Sequence, residues 1–189
     1  MNTWKIDSYH SDIKFKVKHL VVSTVTGHFD NFDGTVETET DNFENAKIIF
    51  EADVNSINTK NEQRDAHLKS ADFFDAANHP KLTFVSKSFK RISDEEYEIT
   101  GDITIRGTTK EIKLKAEYNG TGKGFEGIDV AGFELTGKLN RQDFGLTWNA
   151  LTEAGGVVVG NEIKLDISIE LHKVNSESKK EAKTETAVN

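Results

Sequence analysis

The chain has 189 residues, a formal net charge of −8 at pH 7 and no cysteine. The acidic balance argues against partners that select clustered Lys and Arg, namely nucleic acid and a permanently docked anionic membrane surface. The lack of cysteine excludes disulfides and thiolate metal sites. The length fits one domain with its own core, and twelve Phe against one Met and two Trp indicate an aromatic and β-branched interior.

The N-terminal segment reads Met-Asn-Thr-Trp-Lys-Ile-Asp and contains neither an apolar signal region nor a cleavage site. This start predicts a cytoplasmic protein, or a periplasmic one if a leader was removed. No apolar run approaches the ~20 residues that a spanning helix needs, so no integral membrane segment is expected.

Alternation of period two dominates the chain. Ile13, Phe15, Val17 and His19 fall on one face of the first long segment, with lysines on the other, which predicts a half-buried strand. The pattern recurs in six later segments, at residues 48–54, 82–86, 99–105, 112–118, 131–139 and 163–171. These segments predict an all-β fold of about eight antiparallel strands, as a barrel or a sandwich.

Four clusters of turn-forming residues separate the predicted strands. They lie at residues 33–34, 93–96, 106–108 and 119–122. Tight turns between alternating strands indicate a meander, in which each strand pairs with the next.

A short helix near residues 60–70 interrupts the strands. Thr59 lies three residues before Glu62, which is the spacing of a capping box. Asp65 and Lys69 stand four residues apart and can pair on the exposed side of this helix.

The other side of the helix carries Arg64, His67 and Leu68, a cation, an imidazole and an aliphatic group. Phe73 and Phe74 follow in a segment too short to form its own core. We therefore expect them to pack onto the open end of a barrel.

The composition changes near Val174 to Ser, Glu, Lys, Thr and Ala without periodicity. We predict a domain over residues 1–173 and a disordered polar tail over residues 174–189.

Four groups of residues occur in an order that is typical of one family. They are His10-Ser11 with residues 17–20, residues 64–75 with Pro80 and Phe84, residues 101–110, and residues 140–146. In this order they resemble the YceI-like proteins, the lipocalin-like polyisoprenoid-binding family, over about residues 3–173. The resemblance, rather than the periodicity, favours an eight-stranded antiparallel lipocalin-like barrel with an elongated apolar cavity over a sandwich.

The same resemblance implies that the barrel binds a long-chain isoprenoid, such as a prenylated quinone or a polyprenyl phosphate, for storage or transport. Family members are also reported to take other amphiphiles, including fatty acids and their amides. Relatives are often homodimers, although no residue of this sequence marks an interface. We expect that the protein has no cofactor and is not an enzyme.

The predicted ligand-binding residues are inward-facing apolar side chains, aromatic side chains of the connecting segments, and polar groups near the helix and near residues 140–146, which we call the late loop. They are Phe15, Val17, His19, Phe50, Val54, Arg64, His67, Leu68, Phe73, Phe74, Phe84, Phe133, Leu135, Arg141, Phe144 and Trp148.

Two interpretations of the aromatic residues stay open. In a barrel filled by its own side chains, they form only the core, and the protein is a structural or stress-related interaction module. Small inward residues among the Phe side chains instead leave room for a tunnel: Ala52, Ser86, Gly101, Ala116, Ala131 and Gly137.

The polar candidates also have two interpretations each. His19 and His67 are either hydrogen-bonded imidazoles or contacts to a ligand head group. Arg64 either binds a pyrophosphate or quinone oxygen, or binds Asp65, Asp75 or a loop carbonyl. Arg141 either pairs with Asp143 to fix the late loop or contacts a bound head group.

Enzymatic and metal sites find little support. None of the six His lies in a His-x-His or His-Glu-x-x-His pattern, so ordinary surface or core histidines are expected rather than metal ligands. A Gly-x-Ser-x-Gly elbow is absent from the sequence. The Gly-rich residues 119–124 lack the spacing of a phosphate-binding loop, and we interpret them as a hairpin.

Overall fold

The structure, a computed structural model, describes residues 1–40, 42–153 and 155–174. In these residues the chain forms eleven strands and one α-helix. The strands are β1 (Asn2–Ile6), β2 (Asp12–His19), β3 (Ser23–Phe29), β4 (Phe32–Thr38), β5 (Lys47–Asp53), β6 (Ile57–Asn58), β7 (Lys81–Arg91), β8 (Glu96–Ile105), β9 (Thr108–Lys123), β10 (Asp129–Asn140) and β11 (Val159–Lys173). Helix α1 (Glu62–Lys69) lies between β6 and β7. Residues 175–189, which are all of the predicted tail except its first residue, lie outside the described residues.

Six of these strands are halves of three interrupted strands, β1 with β2, β3 with β4, and β5 with β6. Each half pairs with the matching half next to it, since β1 pairs with β4 and β2 with β3, while β4 pairs with β5 and β3 with β6. The order then continues through β7, β8, β9, β10 and β11 with antiparallel neighbours.

The last strand closes the sheet. β11 pairs with β2 near its start and with β1 at its end, where Leu171 lies opposite Ile6. The described chain is therefore a closed, eight-stranded antiparallel barrel with one short helix, as predicted. Closure satisfies the backbone groups that an open sheet would leave at its edges.

The interruptions in neighbouring strands lie side by side. The Asp30 N–H donates to the Ser56 carbonyl at 3.1 Å, and the Asp53 N–H donates to the Asn31 carbonyl at 2.9 Å. The ladder is therefore interrupted at the same level in three adjacent strands. β11 continues past this level and pairs with both β2 and β1.

Alternation decides which side chains enter the barrel. On β11, Leu165, Ile167 and Ile169 face the interior. Asp166, between them in sequence, bonds Lys16 on the outer surface at 2.5 Å. The predicted inward and outward faces of this strand are confirmed.

Two of the predicted turns are wrong. Asp33-Gly34 lies inside β4, and residues 119–122 lie inside β9. The register of β9 and β10 shifts between Gly132 and Phe133, and Gly120 opposite has a φ of 107°. The Asn-Gly pair therefore marks a bulge within a long hairpin, and the chain reverses later, at a 3-10 turn over Phe125–Gly127.

The predicted capping box is also wrong. Asn61 is the N-cap of α1, because its side chain accepts from the Arg64 N–H at 2.9 Å. The carboxylate of Asp65 accepts from the backbone N–H of Thr59 at 2.9 Å and from its hydroxyl. Asp65 thus anchors the chain entering the helix rather than bonding Lys69 as expected. Of the helices formed by the described residues, none has the length and apolar character to cross a membrane.

Candidate functional site: an apolar cavity inside the barrel

The barrel encloses a cavity of about 210 Å³ whose accessible wall is hydrocarbon. All of the strands except the two-residue β6 contribute to its lining. The space therefore lies in the interior of the barrel rather than in a surface cleft. Its aromatic lining residues include Phe15, Phe29, Phe50, Phe84, Phe133 and Phe144. A wall of this kind offers an apolar chain burial without polar partners.

The inward side chains of the barrel differ in how completely they are buried. Inward side chains of β8 and β9 are tightly packed, with Ile99 at 1% and Leu114 at 6% exposure. In contrast, Leu135, Ile167 and Ile169 also face inward but are only half-buried. The accessible part of their surface therefore faces the cavity along β10 and β11.

An aromatic plug closes one end of the cavity. The ring of Phe43 lies 5.1 Å from that of Trp4 and 5.0 Å from that of Phe133, which in turn lies 5.1 Å from Tyr118. Phe43 is 1% exposed although it lies in a loop. Such packing leaves no room for a chain to leave at this end.

The opposite end is covered by α1 and the residues after it. Leu68, Phe73 and Phe74 all line the cavity from this side. The ring of Phe74 meets that of Phe29 edge-on at 6.1 Å. The prediction that the helical segment packs over a barrel end is confirmed. We call residues 62–74 the cover.

Aromatic and hydrogen-bonding contacts hold the cover to the late loop and to Trp148, which follows it. The ring of His67 lies 4.7 Å from Trp148 and 5.1 Å from Phe73, and its Nε2 is 2.8 Å from the Asp72 carboxylate. Arg106 donates to the Phe73 carbonyl at 3.1 Å and to the Gly145 carbonyl at 2.8 Å. Residues from three parts of the chain thus converge on this rim.

Arg141 supports the late loop from within. Its guanidinium donates to the carbonyls of Leu146 at 2.5 Å, Trp148 at 2.8 Å, Gly160 at 2.9 Å and Val159 at 3.4 Å. The side chain is 3% exposed, and burial lowers the pKa of Arg141. The predicted pair with Asp143 is wrong, because carbonyl dipoles take the place of the carboxylate.

Arg64 follows one of its two predicted interpretations. Its Nε donates to the Thr59 hydroxyl at 2.7 Å, and its Nη2 donates to the Thr59 carbonyl at 2.8 Å. The guanidinium therefore stabilises the entry to α1, as the alternative of a loop carbonyl partner predicted.

Eleven of the sixteen predicted binding residues line the cavity: Phe15, Val17, Phe50, Leu68, Phe73, Phe74, Phe84, Phe133, Leu135, Arg141 and Phe144. The other five lie outside its lining: His19, Val54, Arg64, His67 and Trp148. His19 is half-buried near the end of β2, and Val54 is 2% exposed in a 3-10 turn. A role of any of these residues in binding stays a prediction.

Several lining residues were missed by the sequence-based site prediction. They include Ile48, Leu139, Ile163, Leu165, Ile167 and Ile169. The signal was present, because the alternation of β11 already put four of these six on an inner face.

The small inward residues also behave differently than expected. A side chain at Gly101 would meet the ring of Phe84 at 2.4 Å, and one at Gly137 would meet Leu114 at 2.5 Å. Neighbouring side chains occupy these positions, so the glycines let Phe84 and Leu114 lie against the wall.

Comparisons with known proteins identify the barrel. A family model described as the YceI-like domain matches residues 4–171. The chain belongs to the YceI-like family. A UPF0312 protein of Staphylococcus aureus strain MSSA476 is 42% identical over 171 residues, which cover 90% of this chain and 97% of the relative.

Solved structures of YceI-like proteins and other barrels share the fold. The Campylobacter jejuni YceI protein matches with a TM-score of 0.72 and 34% identity, covering 84% of this chain and 90% of that one. Burkholderia cenocepacia BcnA matches with a TM-score of 0.76 and 19% identity, covering 87% and 98%. A domain of Saccharophagus degradans, described as polyisoprenoid binding and implicated in plant cell wall breakdown, matches with a TM-score of 0.61 and 14% identity, covering 89% and 97%. The last two likenesses concern the fold alone.

Proposed function

We propose that this YceI-like protein binds a long apolar lipid chain inside its barrel, for storage or transport. The observation that carries the proposal is the hydrocarbon wall of the internal cavity, which extends from the aromatic plug to the cover. A polyisoprenoid, such as a prenylated quinone or polyprenyl phosphate, is the preferred ligand class. The description of the S. degradans domain as polyisoprenoid binding supports this class.

Burial of the chain is sufficient to explain affinity. Each methylene group removed from water contributes roughly 0.8 kcal/mol, so ten groups give an upper bound of about 8 kcal/mol before ordering losses. That free energy corresponds to a dissociation constant on the order of 1 μM. The proposal needs no catalytic step.

Head-group recognition contributes less in this proposal. Arg141 directs its donors to four carbonyls, and Arg64 directs its donors to Thr59. Because these cations already have partners within the chain, the apolar tail dominates affinity. Fatty acids and fatty amides are the alternative ligands, since their tails suit the same wall.

The ligand class is tested by native mass spectrometry of protein purified from its own host, followed by organic extraction. We expect a stoichiometric isoprenoid lipid. A fatty acid or amide would keep the binding mechanism and replace the ligand class. A clean unliganded mass, together with failure to bind added isoprenoids, would contradict the proposal and favour a filled barrel.

The location of the ligand is tested by filling the part of the cavity along β10 and β11. Ile167→Trp introduces an indole next to Leu135, its partner across β10 and β11. Ile49→Trp, on the outer face of β5 and 63% exposed, is the matched control. We expect at least a tenfold loss of affinity for a fluorescent polyene in Ile167→Trp alone. Equal affinity in both folded variants would place the ligand elsewhere.

A further inference from the structure

Five exposed aliphatic side chains gather on two adjacent loops of the barrel. Leu20, Val21 and Val22 form the turn between β2 and β3. Leu151 and Val157 pair in a β-bridge within the connection from β10 to β11. Val21 and Leu151 are 75% exposed, and Val22 is 86% exposed. We call these five residues the tip patch, and exposed apolar groups that gather in this way mark surfaces that contact a protein or a membrane.

Backbone hydrogen bonds join the two loops. The Leu20 N–H donates to the Val158 carbonyl at 2.9 Å, and the Val158 N–H donates to the Ala150 carbonyl at 3.0 Å. Val159 then begins β11 opposite His19, the last residue of β2. The tip patch is therefore one surface, although its two parts are far apart in the sequence.

The tip patch lies at the covered end of the cavity. Val159, the residue after Val158, lines the cavity, and its carbonyl accepts from the Asn149 side chain at 2.8 Å. Trp148, next to Asn149, contacts the ring of His67 in the cover. An apolar phase that meets the tip patch would therefore lie next to the cover.

The turn between β2 and β3 has a backbone that its own side chains do not favour. Leu20 has a φ of 52° and Val21 a φ of 64°, in the left-handed region that favours Gly and Asn and disfavours β-branched residues. The stability of the turn alone would select Asn or Gly at these positions. Strain of this kind is typical of functional sites, so these apolar side chains indicate a purpose other than folding.

The size and charge of the tip patch favour a lipid surface over a second copy of the chain. Burial of one Val or Leu side chain removes on the order of 100 Å² from water, so the patch offers at most about 500 Å². A stable protein interface needs roughly 800 Å² on each partner. Residues 20–22 and 150–158 contain Glu153 as their only charged residue, so no cation selects an anionic partner.

We propose that the tip patch inserts into the surface of a zwitterionic lipid bilayer and brings the covered end of the barrel against it. A fluid lipid surface accepts small protruding groups without a complementary shape, and association grows with the apolar area buried. Contact is expected to be weak and reversible, in keeping with the small patch and the net charge of −8. The inference rests on the proposed function, because a barrel that carries lipid must exchange it with an apolar phase.

The test is co-sedimentation of the full-chain protein with phosphatidylcholine vesicles, without an added lipid ligand. Val21→Asn/Leu151→Asn removes one apolar side chain from each loop, and we expect it to lower the partition coefficient at least fivefold. Ile92→Asn/Phe125→Asn is the matched control, because these residues are 64% and 96% exposed in turns at the opposite end of the barrel. Its partition coefficient should equal that of the unaltered protein.

A second readout separates docking from misfolding. Asn suits the left-handed backbone at residue 21, so Val21→Asn alone should keep or raise the melting temperature while it lowers vesicle binding. Equal vesicle binding by the two folded double variants would overturn the proposal, as would an absence of binding at millimolar lipid. Dimers that Val21→Asn/Leu151→Asn abolishes, without any vesicle binding, would overturn it in favour of a second copy.

Affinity for a fluorescent polyene separates this inference from the proposed function. Neither Val21 nor Leu151 lines the cavity, so their double variant should bind the polyene as the unaltered protein does when vesicles are absent. Normal polyene binding without vesicle binding would overturn the docking surface alone. Vesicle binding through the tip patch without polyene binding would contradict the proposed function and support the docking surface.

Discussion

Two buried polar atoms lack a hydrogen-bond partner among the described residues, the indole Nε1 of Trp4 and the hydroxyl of Thr38. Both side chains are 2% exposed and belong to the paired strands β1 and β4. A buried group that loses its bond to water without replacement costs roughly 1–3 kcal/mol. These two residues are therefore weak points of the interior.

Thr38→Val should stabilise the protein, because it replaces an unpartnered hydroxyl with a methyl group of similar size. We expect the free energy of unfolding to rise by about 1 kcal/mol in urea denaturation. Thr104→Val is the control, since the Thr104 hydroxyl bonds that of Thr109 at 2.8 Å and its loss should bring no gain. Destabilisation of Thr38→Val would show that its hydroxyl has a buried partner, such as water.

Arg141→Met should be among the most damaging single substitutions. It keeps the length of the apolar stem but leaves four carbonyls without their donor, so we expect a loss of about 3–5 kcal/mol. Arg91→Met is the matched control: Arg91 bonds the exposed Asp94 at 2.7 Å, and its loss should cost less than ~1 kcal/mol. Similar urea midpoints for the two variants would contradict the role given to Arg141.

At the scale of elements, the cover is the part of the barrel best suited to open. The aromatic plug at the other end joins side chains of β1, β9 and β10 with Phe43 from the β4–β5 connection, whereas the cover is a single short helix followed by Phe73 and Phe74. Its hydrogen-bonded link to the late loop passes through Arg106. A ligand that enters the cavity is expected to pass this end.

Arg106→Ala should accelerate ligand exchange. The substitution removes two hydrogen bonds from the rim without touching the cavity wall, so stopped-flow rates of binding and release should both rise severalfold, with little change in equilibrium affinity. Arg91→Ala, on a different hairpin, should leave both rates unaltered. Unchanged exchange in Arg106→Ala would exclude the cover as the gate.

The strands and their faces were predictable, but the connections were less so. Alternation on β2, β10 and β11 reports burial directly, because one face of each strand meets the interior. Asn119-Gly120 is a turn signal in isolation, yet the pairing of β9 with β10 makes it a bulge. Asn61 rather than Thr59 caps α1, since Thr59 bonds Asp65 and Arg64. In both places several residues can form alternative hydrogen bonds. The sequence shows all of these residues, but it does not show which of the bonds form.

At the scale of the whole molecule, β11 closes the barrel. It pairs with β10 along most of its length and with both β2 and β1 on its other edge. It also provides inward residues to the cavity, among them Leu165, Ile167 and Ile169.

The apolar part of the site was predictable for the same reason that the strands were. Phe15, Phe50 and Phe133 line the cavity because their strand faces are fixed by alternation. The polar residues were not: the ring of His67 meets that of Trp148 edge-on, and Arg141 bonds the carbonyls of Leu146 and Trp148. These contacts depend on loops whose paths sequence periodicity does not encode.

A wall made of hydrocarbon gives the barrel the character of a small oil phase. Association of an apolar chain with it should have a negative heat-capacity change and respond little to ionic strength. The bound lipid would then partition between the barrel and any other apolar phase, according to the relative volumes of the two. The direction of transport would depend on which apolar phase the barrel encounters. It would require no change in the barrel itself.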